Sequence, residues 1–374
     1  MSRIEDIKNA FSEAVDVYFD EMPNKNLVLS PENYDDKHKR SVLSSLKYIF
    51  SNKRVNDDKY QNAMMQFREK LATEAPYINL DIFDKNLKTL NIYYNNYALY
   101  NRVSNKKVKG SYDSINNNLY IDKDESLRIF YHELLHVASA NIDNENEIYK
   151  IGFRYANIDE VIHIGKYFNE GYTEVLADRY FGLRTSPAYA KEKVFASMIE
   201  DVVGQETMES FYFNADLLSL FEELEKYSSE DKIVRFFKNI ELMHMFNNKR
   251  EPANYAQLAR MFGECQTFCL ECYLEKLKQD GLSYEDITRK YWKHLDSIYE
   301  KTMPAYCDII HLSELVDSTK KAYNNVMGTE KSNYKLWFFL LNSGFFCYNM
   351  GRWYYVVFWL FSNYANRWSS IGDI

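Results

Sequence analysis

The segment that decides the fold runs from Ile121 to Ala140 and reads Ile-Asp-Lys-Asp-Glu-Ser-Leu-Arg-Ile-Phe-Tyr-His-Glu-Leu-Leu-His-Val-Ala-Ser-Ala. Within it, His132, Glu133 and His136 form a His-Glu-x-x-His box. The apolar residues recur at helical spacing, which predicts an α-helix. Residues four apart leave one face of a helix about 6 Å apart along the axis, so both imidazoles can bind one metal ion. The box therefore predicts a metal site with a carboxylate beside it.

The predicted helix has two faces with different tasks. The apolar face is expected to enter the core and carries Leu127, Phe130, Leu134 and Val137. The second face has the same spacing and carries Ile129, His132, Glu133, His136 and Ala140. Asp122 and Glu125 have the spacing of a capping box, which favours a helix start at this point.

Zinc is the metal that this residue set favours, because a catalytic zinc has three protein ligands and one position open to water. The third ligand is predicted to be Glu170, on a second predicted helix. Glu174 lies one turn further on that helix, where it can accept the other ring N–H of a histidine ligand. Glu133 is expected to act as general base and acid. The alternatives are two surface histidines on an ordinary helix and a solvated acidic helix face.

The composition of the 374-residue chain excludes several classes of protein. A hydrophobic content of 46% is typical of a folded chain. The net charge of -8 lacks the basic excess of nucleic-acid-binding proteins, so no nucleic-acid partner is expected. The N-terminus has scattered charges and no apolar run, unlike a signal peptide, which predicts a cytoplasmic protein.

The five cysteines are an odd number and predict reduced thiols rather than a disulfide framework. Three of them, Cys265, Cys269 and Cys272, lie close together and suggest a structural zinc site. Their segment has a helical pattern and offers no evident fourth ligand, so that second zinc is not favoured.

Helical periodicity on both sides of a β-rich segment predicts an α+β fold that is mainly α. The predicted regions are an N-terminal helical region (1–89), a catalytic core (90–185), a helical domain (186–330) and an aromatic, apolar C-terminal segment (331–374).

Within the core, a small antiparallel sheet is expected to lead into the His-box helix, with strands in 90–100, 107–112 and 118–121. A hairpin of strands 148–155 and 160–168 is predicted next, followed by a helix from Asn169 to Phe181 that ends at Gly182. The other predicted helices are 2–22, 31–50, 57–74, 187–203, 214–228, 230–247, 252–279, 283–302 and 308–326.

The stretch 336–361 is strongly apolar and aromatic but is interrupted by Asn342, Asn349 and Arg352. A membrane span needs about 20 apolar residues with few charges. A buried helix pair or an interaction surface is therefore favoured over membrane contact.

The two helices together resemble the gluzincin metallopeptidases, in the broad thermolysin-like sense. The resemblance covers about 110 to 182 and rests on His132, Glu133, His136, Asn169-Glu170, Glu174, and the turn and strand of 110–121. It implies a zincin-like core, one zinc ion per chain, a peptide or protein substrate, and an edge strand that binds the substrate backbone. It also implies a Tyr or His that hydrogen-bonds the developing oxyanion, with His163, Tyr172, Tyr180, His244, His294 and His311 as candidates.

Other zincin families fit less well. A metzincin would have glycine and histidine where this chain has Ser139 and Ile142, and no Gly-x-Met-Glu-Asn stretch supports an aminopeptidase. An aspzincin-like site would use Asp178 as third ligand, but the Gly-Thr lead-in is missing.

The sequence thus predicts a zinc-dependent peptidase, expected to be an endopeptidase, that hydrolyses peptide bonds with metal-activated water. Two alternatives stay open: a catalytically silent zincin-like binding or scaffold protein, and a zinc amide hydrolase with a non-peptide substrate.

Overall fold

The computed structural model describes residues 51–54, 58–95, 109–114, 116–122, 127–143, 148–157, 163–182, 189–247, 252–306 and 312–328. These residues form eleven α-helices and eight strands in two small sheets, so the fold is α+β and mainly α, as predicted. The predicted helices 2–22 and 31–50, and the segment 331–374, lie outside the described residues.

The strands are β1 (Ser51–Arg54), β2 (Asn91–Asn95), β3 (Gly110–Asp113), β4 (Asn118–Ile121), β5 (Ala140–Asp143), β6 (Ile148–Ile151), β7 (Arg154–Asn157) and β8 (His163–Ile164). The helices are α1 (Asp58–Glu74), α2 (Asp81–Leu87), α3 (Leu127–Ala138), α4 (Lys166–Phe181), α5 (Ala190–Val203), α6 (Gln205–Phe213), α7 (Leu217–Glu225), α8 (Glu230–Asn247), α9 (Pro252–Gln279), α10 (Tyr284–Tyr306) and α11 (Leu312–Met327).

The first sheet has the strand order β1-β2-β4-β3. β4, its last strand in the sequence, precedes α3. β3 and β4 form an antiparallel hairpin in which Gly110 pairs with Ile121. The predicted antiparallel sheet is correct for this pair and wrong for β2 and β4, which run parallel. The reason is that β3 reverses the chain before β4 begins, which also leaves β3 at the edge of the described sheet.

The second sheet is an antiparallel meander of β5, β6, β7 and β8. The predicted strand 148–155 is wrong because the chain turns at Gly152, which has φ +52. A Cβ there would lie 2.3 Å from Asn169 Oδ1, so only glycine fits this turn. The predicted strand 160–168 was also too long, since the described part holds only the two residues of β8 before α4 begins at Lys166.

The long helices lie close to their predicted positions. α1, α8 and α9 match within a residue, and the ends of α5, α7, α10 and α11 differ from the prediction by a few residues. Two short helices, α2 and α6, were missed because seven and nine residues give little helical periodicity. Of the predicted capping pair Asp122 and Glu125, Glu125 lies outside the described residues.

Aromatic packing attaches the N-terminal part of the described chain to the site helices. Phe67 of α1 is fully buried and its ring lies 5.1 Å from Phe83 of α2 and 5.0 Å from Phe181 at the end of α4. Tyr60 of α1 packs 4.7 Å from Phe130 of α3. Buried apolar side chains from α1 through α11 form one contiguous cluster, so both site helices rest on one core.

The three cysteines of α9 are buried and free. Burial raises the pKa of Cys272 to about 12. Among the described residues, no helix is long and apolar enough to cross a membrane; the stretch 336–361 lies outside them.

Candidate metal centre

Helix α3 presents the His-box on the face opposite its most deeply buried apolar residues. Phe130, Leu134 and Val137 are fully buried in the core. His132 and His136 retain 9% and 7% of their surface, and their ring centroids lie 5.0 Å apart. The two faces predicted from helical spacing are therefore present, and the polar face is nearly as enclosed as the apolar one.

Helix α4 brings Glu170 to both imidazoles. Glu170 Oε2 lies 3.3 Å from His132 Nε2 and 3.5 Å from His136 Nε2. These three side chains form a group that could hold a metal ion, with all ligand atoms within 4.8 Å of one another. Tetrahedral zinc with bonds near 2.0 Å spaces its ligand atoms about 3.3 Å apart, and the two distances from Glu170 to the histidines are close to this value.

A second carboxylate orients the first histidine. Glu174 Oε1 lies 3.2 Å from His132 Nδ1, and Arg128 contacts the other oxygen of Glu174 at 3.4 Å. Burial lowers the pKa of His132, but hydrogen bonds to Glu170 and Glu174 and the charge of Glu133 outweigh it and raise the pKa to about 10. These contacts favour the imidazolium form of His132, which can donate to a carboxylate from each ring nitrogen.

Asn169 contacts the second histidine, a role that sequence analysis did not assign to it. Its Nδ2 lies 3.4 Å from His136 Nδ1, and its Oδ1 accepts a hydrogen bond from the backbone N–H of Phe153 at 2.9 Å. The turn at Gly152 thus fixes the side chain that touches His136. The only signal in the sequence was the Asn-Glu pair itself.

Glu133 lies under the edge strand β3. A Cβ on Gly110 would lie 2.4 Å from Ile129 Cγ2 and 3.1 Å from Glu133 Oε1. Glycine therefore permits a close approach of the strand backbone to the carboxylate of α3. Glu133 itself is 7% exposed, beside the histidine pair and outside the three-residue ligand group.

Tyr189 is a site residue that sequence analysis missed, because it lies within the predicted helix 187–203 and belongs to no motif. Its ring is parallel to that of His132, at 6.3 Å and 9°. The charge of Glu170, then burial, then the charge of Glu133 raise the pKa of Tyr189 well above its usual value. Tyr189 is therefore a neutral phenol whose pKa is affected by both carboxylates.

The predicted candidates for the oxyanion donor have other partners or lie outside the described side chains. Tyr172 donates to Glu200 and Tyr180 to Glu209. Two of the candidate histidines also have partners: His244 is bonded to Glu192, and His294 lies 3.6 Å from Asp201. The side chains of His163 and His311 are not among those described.

Asp178, the alternative third ligand, lies away from the histidines. It bonds to Lys193 at 2.8 Å, its side chain is 53% exposed, and it does not belong to the ligand group. Among the described residues, Glu170 is therefore the carboxylate that the fold brings to both rings.

Comparison with known proteins gave no relative: no family model, no curated protein and no solved structure matches the chain significantly.

Proposed function

We propose that this chain is a zinc-dependent endopeptidase of gluzincin type. The observation that carries the proposal is the convergence of His132, His136 and Glu170 around one point, with both Glu170–histidine distances close to those in tetrahedral zinc sites. Two further features support a hydrolytic role: Glu133 lies on the same helix face, and a sheet edge crosses it.

In the proposed reaction, the three ligands hold the metal and Glu133 transfers the proton. Zinc, when bound, supplies a Lewis acid that polarises a carbonyl and acidifies water. Glu133 accepts the proton of the attacking water at its carboxylate and delivers it to the leaving amine. Glu174 holds His132 in the tautomer whose Nε2 is free for the metal.

Tyr189 is the proposed donor to the oxyanion. A neutral phenol next to a site of developing negative charge stabilises the transition state more than the ground state. Two observations support Tyr189 in this role: its raised pKa keeps the phenol neutral, and its ring lies parallel to that of the ligand His132.

The edge strand β3 is the proposed binding place for substrate backbone. It pairs with β4 on one side and forms the end of the described sheet on the other. An extended peptide can add to such an edge through main-chain hydrogen bonds, which are indifferent to side-chain identity. A peptide or protein substrate, with no nucleic acid, is the partner that this arrangement favours.

The proposal is tested with Glu133→Gln and a peptide-library cleavage screen. The variant should retain zinc and lose hydrolysis, because the amide keeps the shape of the side chain but cannot take a proton. Glu206→Gln, a change at an exposed residue of α6, is the matched control and should cleave as the wild type does. Cleavage by Glu133→Gln at the wild-type rate would overturn the mechanism. Zinc without any peptide cleavage in the wild type would favour a non-peptide amide substrate or a silent scaffold.

A further inference from the structure

The helix that carries Glu170 begins without a cap of its own. Its N-cap residue is Gly165, with φ +70 and no side-chain hydrogen bond. A Cβ at this position would lie 2.2 Å from the carbonyl oxygen of Phe153, so no capping serine or aspartate can replace the glycine. The first backbone N–H groups of α4 therefore need acceptors from elsewhere.

Glu241 of α8 supplies that acceptor from far along the chain. Its Oε1 accepts a hydrogen bond from the Tyr167 N–H at 3.0 Å. Burial raises the pKa of Glu241 to about 7, and the Tyr167 N–H together with the charges of Lys166 and Arg154 opposes the rise by favouring the ionised form. An anion at a helix N-terminus also interacts favourably with the helix dipole.

The same helix makes a second contact with the first turn of α4. His244, one turn after Glu241, stacks on Tyr167 at 3.7 Å and 14°. Its Nδ1 is bonded to Glu192 of α5 at 3.1 Å. The turn that precedes Glu170 is thus held by a carboxylate and by a ring, both from α8.

We propose that Glu241 is a positioning residue for the metal site: it caps α4 in place of the side chain that Gly165 cannot carry, and so keeps Glu170 directed at the two histidines. Glu170 lies three residues after Tyr167, on the turn that this cap fixes. A first turn that frays would move Glu170 Oε2 away from the two ring nitrogens, which it now approaches to 3.3 and 3.5 Å. The inference rests on the proposed metal site, but not on peptide hydrolysis.

The test compares Glu241→Ala and Glu241→Gln with wild type by zinc affinity in competition with a chromophoric chelator. Hydrogen exchange of the metal-free proteins over residues 166–171 is the second readout. Glu271→Ala is the matched control. Glu271 is a largely buried carboxylate of α9 that accepts hydrogen bonds from Lys232 and Asn325, and none is described from α4.

Glu241→Ala should lose zinc affinity about tenfold relative to Glu271→Ala and exchange faster in 166–171, the size expected when a cap is removed. Glu241→Gln retains one acceptor oxygen and should recover part of that loss. If Glu241→Ala does not fold, the glutamine variant decides by the same two readouts. Affinity and exchange equal to those of Glu271→Ala would overturn the proposal. A wild type that binds zinc and cleaves nothing would instead refute the peptidase function and leave the positioning role intact.

Discussion

His132 Nδ1 lies 3.2 Å from Glu174 Oε1, while Nε2 of the same ring faces Glu170. The ring is therefore held between two carboxylates of one helix, one turn apart. A histidine that is anchored at one nitrogen presents the other in a fixed direction, which is what a metal ligand requires. Arg128 in turn contacts Glu174, so the carboxylate that orients His132 is itself held by an ion pair.

Replacing Glu174 by alanine should weaken zinc binding without removing it. Loss of an outer carboxylate that orients a histidine ligand costs about 10- to 100-fold in metal affinity. Glu174→Gln retains an acceptor for the Nδ1–H and should bind zinc more tightly than Glu174→Ala. The measurement is the zinc dissociation constant of each variant. Equal affinities in wild type and Glu174→Ala would show that this contact has no influence on the site.

Zinc uptake should release a proton from His132. The pKa of this group is raised to about 10 in the metal-free protein, so it is protonated at neutral pH and the metal must displace that proton. Apparent affinity should rise about tenfold per pH unit below that pKa, because the competing proton becomes scarcer. Calorimetric zinc titrations in buffers of different ionisation enthalpy count the protons released. Binding that is independent of buffer and of pH would contradict the imidazolium.

Tyr189→Phe should reduce kcat by about 10²- to 10³-fold, the usual cost of one lost oxyanion donor, with little change in KM or zinc content. The ring is retained, so its packing beside His132 is preserved. Tyr77→Phe is a suitable control, because it also removes a phenol hydroxyl but one that bonds to Glu209. Turnover by Tyr189→Phe at the rate of this control would remove Tyr189 from the mechanism.

Gly171→Ala should destabilise the protein. A Cβ there would lie 2.3 Å from the backbone carbon of Glu192 and 2.4 Å from its oxygen, so α5 must move away from α4. Overpacking of this kind costs about 1–3 kcal/mol. In Gly263→Ala the new methyl meets only the Ser318 hydroxyl, at 3.1 Å, and the change should be much milder. Denaturant unfolding measures both; equal free energies of unfolding for the two variants would contradict the close packing of α4 on α5.

Local patterns were sufficient to predict the centre of the site. His132 and His136 are four residues apart on one helix, and Glu170 and Glu174 have the same spacing on the next, so helical periodicity places each pair on one face. The step from one pair to the other came from the third ligand that a catalytic zinc needs, and the family resemblance agreed with it. The structure places the two pairs within contact distance.

The residues that surround this centre could not be predicted, since their contacts join distant parts of the chain. Glu241 reaches α4 across 74 residues, and the Tyr189 ring lies beside that of His132, 57 residues earlier in the chain. The parallel pairing of β2 with β4 is equally non-local. The turn at Gly152 was missed because the flanking strands have a continuous β-type pattern, and only the tertiary contact with Asn169 reveals why the chain bends there.

The most direct test is the metal content of purified wild type, His132→Ala, Glu170→Gln and Asp178→Asn, by elemental analysis after dialysis. We expect about one zinc per chain in wild type and in Asp178→Asn, and loss of zinc from His132→Ala and Glu170→Gln, because a three-ligand site does not survive removal of one ligand. Zinc that persists in Glu170→Gln, or a wild type without zinc, would contradict a zinc site formed by His132, His136 and Glu170.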